Sequence, residues 1–191
     1  INKISSNNVQ IDEENDTNNY QKEDKLIIKF KSIVKEKTEF EVEIDYSCGY
    51  YSNKDKTGGA YYNSPRSGFH FIVPDQVDQS SSSSAYQSWT QGETMESRYW
   101  FPCIDDPQVK FTREIEVIAP DDEYLVISNG TYERKGNIWK WNESTPNPAY
   151  LTSVVIGKFS KQVDSNGKVP LEYYWPTNIP KTYDPLLTFG E

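Results

Sequence analysis

The chain has 191 residues, with 29 Asp and Glu against 20 Lys and Arg, for a formal net charge of −9. That length suffices for a sizeable core, while the acidic balance speaks against nucleic acid as the main ligand, because phosphate binding needs a basic face. Hydrophobic residues are 35% of the chain, and no window of about 20 residues is predominantly apolar, so no membrane span and no membrane partner are expected. A single histidine, His70, excludes a self-contained HExxH zinc site, which takes two histidines one helical turn apart. Two cysteines, Cys48 and Cys103, make no disulfide framework: they allow one bridge at most, and are read as reduced thiols of a cytoplasmic protein.

In chain order, residues 1–24 read as a flexible acidic and Asn-rich tail, although Ile4, Val9 and Ile11 offer an edge strand. Order is expected from Lys25-Leu26-Ile27-Ile28-Lys29-Phe30 onward. Phe40, Val42, Ile44 and Tyr46 then alternate with acidic residues, the period of a half-buried strand. Residues 49–67, rich in Gly and Ser, are expected to form a long loop or an irregular hairpin, Phe69–Val73 a strand stopped by Pro74, and Ser80–Ser84 a serine loop. Further strands are expected over Phe111–Ala119, Tyr124–Ser128, Ile138–Trp141, Leu151–Phe159 and Val169–Trp175. Asn129-Gly130 is a strong hairpin signal, and Gly136-Asn137 makes the next turn. Only at the end does a helix begin, with Asp184 as N-cap and Pro185 at the first helical position. The 14% aromatic content supports strands. The fold expected is all-β: a twisted, saddle-like β-sandwich of many short antiparallel strands, with a truncated helix start at the C-terminus.

Chemistry-bearing residues concentrate between Trp89 and Gly130. The chain reads Trp89-Thr90-Gln91-Gly92-Glu93, then Ser97-Arg98-Tyr99-Trp100-Phe101-Pro102-Cys103-Ile104-Asp105-Asp106-Pro107, then Lys110, and later Ile127-Ser128-Asn129-Gly130. Taken singly, Glu93 is a solvated loop carboxylate. Arg98, Asp105, Asp106 and Lys110 look like a catalytic cluster but read as charges that hold an irregular loop. Cys103, after a proline among aromatics, reads as a buried, inert thiol. His70, inside an apolar strand, reads as a packed histidine rather than a ligand. Tyr61, Tyr62, Trp139, Trp141, Tyr173, Tyr174 and Trp175 would suit a sugar-stacking platform, but core packing is the default. Asn15, Asn129 and Asn142 match the N-glycosylation pattern, at a frequency expected by chance in so Asn-rich a chain.

This central block resembles the amino-terminal β-domain of the zinc aminopeptidases related to aminopeptidase N. That family typically reads Thr-Gln-x-Glu/Gln, an Arg, Phe-Pro-Cys-x-Asp-x-Pro, a Lys, and a later Ser-Asn before a turn. Gly68-Phe69-His70-Phe71 with Pro74-Asp75 is similar to the family's Gly-Leu-Tyr-Phe and Pro-Asp, so the resemblance covers roughly residues 25–175. Trp100 departs from the commoner family pattern. The resemblance implies that residues 25–180 are the N-terminal domain of a longer zinc-dependent aminopeptidase. Residues 181–191 would lead into a catalytic domain that carries the zinc and acts on peptides. It implies no catalytic or metal-binding residue in this chain. Glu93 would bind the substrate's free α-amino group, and Gln91 would line the pocket for the first side chain. A fixed carboxylate is the chemistry that selection for a cationic amine requires. Two alternatives stand beside it: a non-catalytic aminopeptidase-like scaffold of a transcription-factor subunit, and a carbohydrate-binding β-sandwich.

Overall fold

The computed structural model describes residues 1–12, 21–22, 25–47, 68–72 and 87–177. The serine run, the 49–67 loop, Cys48 and the C-terminal helix start at Asp184 lie outside the described residues. The chain divides into two compact units, Ile1–Tyr50 and Tyr51–Glu191, a division that falls inside the 25–180 body drawn from the sequence. Among the described residues all regular structure is strand apart from two single turns of 3₁₀-helix, and the protein is all-β.

In the first unit, β1 (Lys3–Asn7) pairs antiparallel with β4 (Glu41–Asp45), and the short β2 (Gln21–Lys22) pairs with β3 (Lys25–Leu26). Ordered strand therefore occupies part of the segment expected to be a flexible tail, and the reason lies in the acidic face of β4. Ser5 Oγ donates to Glu43 at 3.0 Å, Asn7 Nδ2 to Glu41 at 3.1 Å, and Asn2 Nδ2 to Asp45 at 3.3 Å. Polar side chains that looked too hydrophilic to order thus find partners across the ladder. Ile11 supplies the apolar contribution: it is 8% exposed and bridges to Phe30, whose ring meets Phe40 edge-on at 5.3 Å.

The second unit contains a four-stranded antiparallel sheet ordered β5-β6-β11-β8, from Phe69–Ile72, Gln87–Thr90, Val154–Gly157 and Leu125–Ser128. A three-stranded sheet is ordered β7-β10-β9, from Lys110–Ile118, Ile138–Pro148 and Thr131–Lys135. A hairpin of β12 (Phe159–Asp164) and β13 (Leu171–Pro176) follows. The period-two pattern of β10 turns Trp139 and Trp141 inward and Lys140 outward, where its ammonium meets Glu114 at 3.1 Å. The two tryptophans pack with Ala119, Val126 from β8 and Val154 from β11, so the core lies between these two sheets. At 4% and 6% exposure, Trp139 and Trp141 are core residues and present no sugar-stacking surface.

Gly136-Asn137 is a true two-residue hairpin turn: Lys135 faces Ile138, and Gly136 has φ +59°. Asn129-Gly130 is not a hairpin. It carries the chain from β8 in one sheet to β9 in the other, and the signal misled because it reports a local torsion rather than the partner of the next strand. Gly130, at φ +87°, passes so close to β10 that a Cβ would lie 2.0 Å from the Asn142 carbonyl oxygen. Asn129 Oδ1 meanwhile accepts the Ser153 N–H at 2.8 Å.

Candidate functional site

The motif loop leaves the end of β6, held there by two contacts. The Thr90 hydroxyl, almost fully buried, accepts the Val154 N–H of β11 at 2.9 Å. The Gln91 N–H donates to the Gly68 carbonyl at 2.8 Å, which continues the β5–β6 pairing one step beyond the strands. From there the chain tightens: Glu96 N–H reaches back to Gly92 O at 2.9 Å, and one turn of 3₁₀-helix runs over Ser97–Tyr99.

Beneath the loop lies the segment between β10 and β11, where Ala149–Leu151 forms the other 3₁₀ turn. Ser97, fully buried, donates its hydroxyl proton to Ala149 O at 2.9 Å. Gly92 is buried against the same turn, where a Cβ would lie 2.5 Å from Tyr150 O and 2.9 Å from Tyr150 Cα. Only glycine fits that approach of backbone to backbone.

Gln91 is half-buried, and its Nε2 reaches the Glu93 carbonyl oxygen at 3.5 Å, the outer limit of a hydrogen bond. Glu93 is exposed, and its carboxylate has no hydrogen bond or ion pair among the described residues. The two residues named from the sequence therefore share one short loop, with a solvent-facing carboxylate on a seated backbone. Such a group can receive a cation without first giving up an internal partner.

Three of the neighbouring charges, Arg98, Asp105 and Asp106, take part in contacts that hold the loop. Asp105, its side chain 4% exposed, accepts from Arg98 Nε at 3.1 Å and from the Arg98 backbone N–H at 3.2 Å. Arg98 Nη2 also reaches Asp105 O at 3.3 Å, so this pair ties together the two ends of the Tyr99–Ile104 segment. Asp106 caps the next turn by accepting the Gln108 N–H at 2.8 Å. Lys110 is exposed at the start of β7.

Burial pushes the Cys103 thiol up to about 11; Asp105 adds to the shift and Arg98 opposes it. It is a free thiol, half-buried and poorly nucleophilic. His70 stacks on Trp89, its cross-strand partner, with ring centroids 4.1 Å apart and planes 12° apart. Burial lowers its pKa from 6.5, against an opposing pull from Glu96. Among the described residues no group of three or more His, Cys, Asp or Glu side chains could hold a metal ion. No helix among the described residues is long and apolar enough to cross a membrane.

One residue with a bearing on the site was not singled out from the sequence. Arg113, 9% exposed, lies on the core-facing side of β7, in phase with Ile115 and Val117. Its guanidinium donates to the Thr152 hydroxyl, to Asn147 Oδ1 and, at 2.9 Å, to Asn147 O, with Pro148 O at 3.4 Å. It also sits over the Phe111 ring at 4.8 Å. The available signal was its phase: an arginine on the apolar face of a period-two strand must find buried acceptors.

Comparison with known proteins places these features in a family. Rat aminopeptidase B is 36% identical over 91 residues, covering 47% of this chain and 14% of that protein. Aminopeptidase N of Streptomyces lividans is 27% identical over 127 residues, covering 64% and 14%. Zebrafish transcription initiation factor TFIID subunit 2 is 28% identical over 106 residues, covering 52% and 9%. Among solved structures, yeast LTA4 hydrolase in complex with bestatin aligns with a TM-score of 0.43 at 24% identity, over 52% of this chain and 15% of that one. The chain thus corresponds to a small fraction of the length of the relatives it matches. The peptidase M1 N-terminal domain family matches residues 1–151, well over half of the sequence, and the chain belongs to that family.

Proposed function

We propose that the chain is the amino-terminal domain of a zinc-dependent aminopeptidase that removes N-terminal residues from peptides. In this proposal Glu93 anchors the substrate's α-ammonium group and Gln91 lines the pocket for the first side chain. The zinc and the peptide-bond chemistry belong to a catalytic domain of the same polypeptide, and neither nucleic acid nor a membrane is a partner. The observation that carries the reading is the pairing of a seated backbone with an exposed carboxylate: Gly92 and Ser97 fix the loop on Ala149–Tyr150, and the exposed Glu93 carboxylate has no hydrogen bond or ion pair among the described residues. The aminopeptidases B and N among the relatives support the reaction class. A cytoplasmic location belongs to the same proposal and is supported by the free thiol of Cys103.

The test is kinetic, on the full-length protein. A charge-assisted contact is worth about 1.5–3 kcal/mol, so Glu93→Gln is expected to lower kcat/KM on a free-amine amino-acid anilide by roughly tenfold to a few hundredfold. Metal content should not change. The preference for free over N-acetylated substrate should shrink in the variant. Wild-type kinetics would show Glu93 to be an ordinary loop carboxylate. A second reading, a non-catalytic scaffold, is favoured by the match to TFIID subunit 2, and it requires the full-length protein to hydrolyse no anilide at all.

A further inference from the structure

We propose that Arg113 is a positioning residue for the Gln91–Glu93 loop and acts through the turn that joins β10 to β11. This rests on the reading of Glu93 as the amine anchor. The β10–β7 register shifts between Glu143 and Asn147, where Glu143 faces Arg113 and Asn147 faces Phe111, so the end of β10 bulges away from a regular ladder. Pairing resumes beyond the bulge at Asn147 with Phe111 and Pro148 with Lys110, and Arg113 adds side-chain hydrogen bonds that fix this end of the strand against the turn that follows. Its guanidinium engages Asn147 and Pro148 ahead of the 3₁₀ turn and Thr152 after it.

Both ends of the Ala149–Leu151 turn are thereby pinned to β7, and this turn is the seat of the motif loop. Ala149 O receives the Ser97 hydroxyl at 2.9 Å, and the Tyr150 backbone lies directly against Gly92. The path from Arg113 to Glu93 is a continuous run of packed or hydrogen-bonded backbone: Arg113, then Asn147–Thr152, then Gly92 and Ser97, then the loop tip. Arg113 makes no hydrogen bond, ion pair or ring contact with Glu93 among the described residues. Its effect is to hold the Glu93 backbone at one height, and a misplacement of about 1 Å can cost on the order of a hundredfold in rate. Burial disfavours its charge, which Glu143 in part restores, so the guanidinium depends on these acceptors as they depend on it.

Two measurements on the full-length protein test this. Amide hydrogen exchange reads the loop independently of catalysis. Arg113→Met is expected to speed exchange at the Glu96 amide, which is bonded to Gly92 O, by about tenfold. Exchange at the fully buried Val126 of β8 should stay at the wild-type rate, which separates a local loosening from global destabilisation. In kinetics, Arg113→Met should lower kcat/KM on the free-amine anilide by about tenfold, with Arg113→Lys recovering part of the loss. Added to Glu93→Gln, it should cost less than about threefold more, because both act on one contact. Where Arg113→Met fails to accumulate as folded protein, Thr152→Val removes one of the same acceptors and carries the same comparisons. Unchanged exchange at Glu96, or a full multiplicative loss in the double variant, overturns the positioning role while leaving Glu93 as the anchor. Faster exchange at Glu96 with wild-type kinetics for Glu93→Gln supports the positioning of the loop and removes the amine-anchor reading.

Discussion

Gly92 lies so close to Tyr150 that a methyl group on it would sit 2.5 Å from the Tyr150 carbonyl oxygen and 2.8 Å from Ser97 Oγ. Because the obstacle is backbone, in a turn whose flanking residues Asn147, Pro148 and Thr152 are bonded to Arg113, it cannot rotate away as a side-chain tip would. Gly92→Ala is therefore expected to destabilise the chain by about 1–3 kcal/mol, the range for overpacking a closed site. Urea unfolding should show a lower midpoint with an unchanged slope.

The Arg98–Asp105 pair gives an asymmetric expectation. Removing the guanidinium by Arg98→Met leaves a carboxylate whose side chain is 4% exposed without its main partner, while Arg98 itself keeps 28% exposure. About 2–4 kcal/mol of stability should be lost, somewhat below the range for a fully buried pair. Asp105→Asn retains an oxygen for the Arg98 N–H groups and should cost about half as much. Equal losses for the two changes, measured by denaturant titration, would contradict an ion pair stapling this loop.

Cys103 should resist alkylation. With its thiol pushed up to about 11 by burial, then by Asp105, the thiolate is a minor species at pH 8. Iodoacetamide should modify Cys103 in the folded chain at least about tenfold more slowly than in urea. Peptide mass spectrometry assigns the site, and equal rates in the two conditions would place the thiol in solvent.

Stability should vary with pH through His70. Burial lowers its folded-state pKa below 6.5, with Glu96 opposing. As pH falls through the ordinary imidazole value the unfolded chain takes up the proton first, so stability declines with falling pH until the folded-state pKa is passed. His70→Phe keeps a ring against Trp89 but cannot titrate. The difference in urea midpoint between wild type and variant should shift in favour of the variant between about pH 7 and pH 5. A difference that stays constant over that window would show that His70 titrates alike in both states.

What the sequence determined by itself was local. The alternation in Glu41–Asp45 and Lys110–Ile118, and the Gly136-Asn137 turn, specify backbone torsions and faces. These are properties of neighbouring residues, and the structure places strands and a hairpin there. The loop with Gln91 and Glu93 was legible because the spacing of Thr90, Gln91, Glu93, Arg98 and the Phe101–Pro107 run is itself a linear pattern.

Tertiary structure decided the rest, because the determining contacts join residues far apart in the chain. Asn129-Gly130 has a positive φ at Gly130 but not at Asn129, and it crosses between sheets because β8 is claimed by β11 and β9 by β10. Lys3–Asn7, read as tail with an edge strand as the alternative, becomes that strand because Glu41, Glu43 and Asp45 lie opposite it. The seat of the candidate site shows the same dependence. Gly92 needs Tyr150, Ser97 needs Ala149, and the turn carrying both is held by Arg113 of β7, so three separate stretches of chain must meet. A linear pattern can place a carboxylate on a loop; only apposition of distant backbone decides whether that loop is held still.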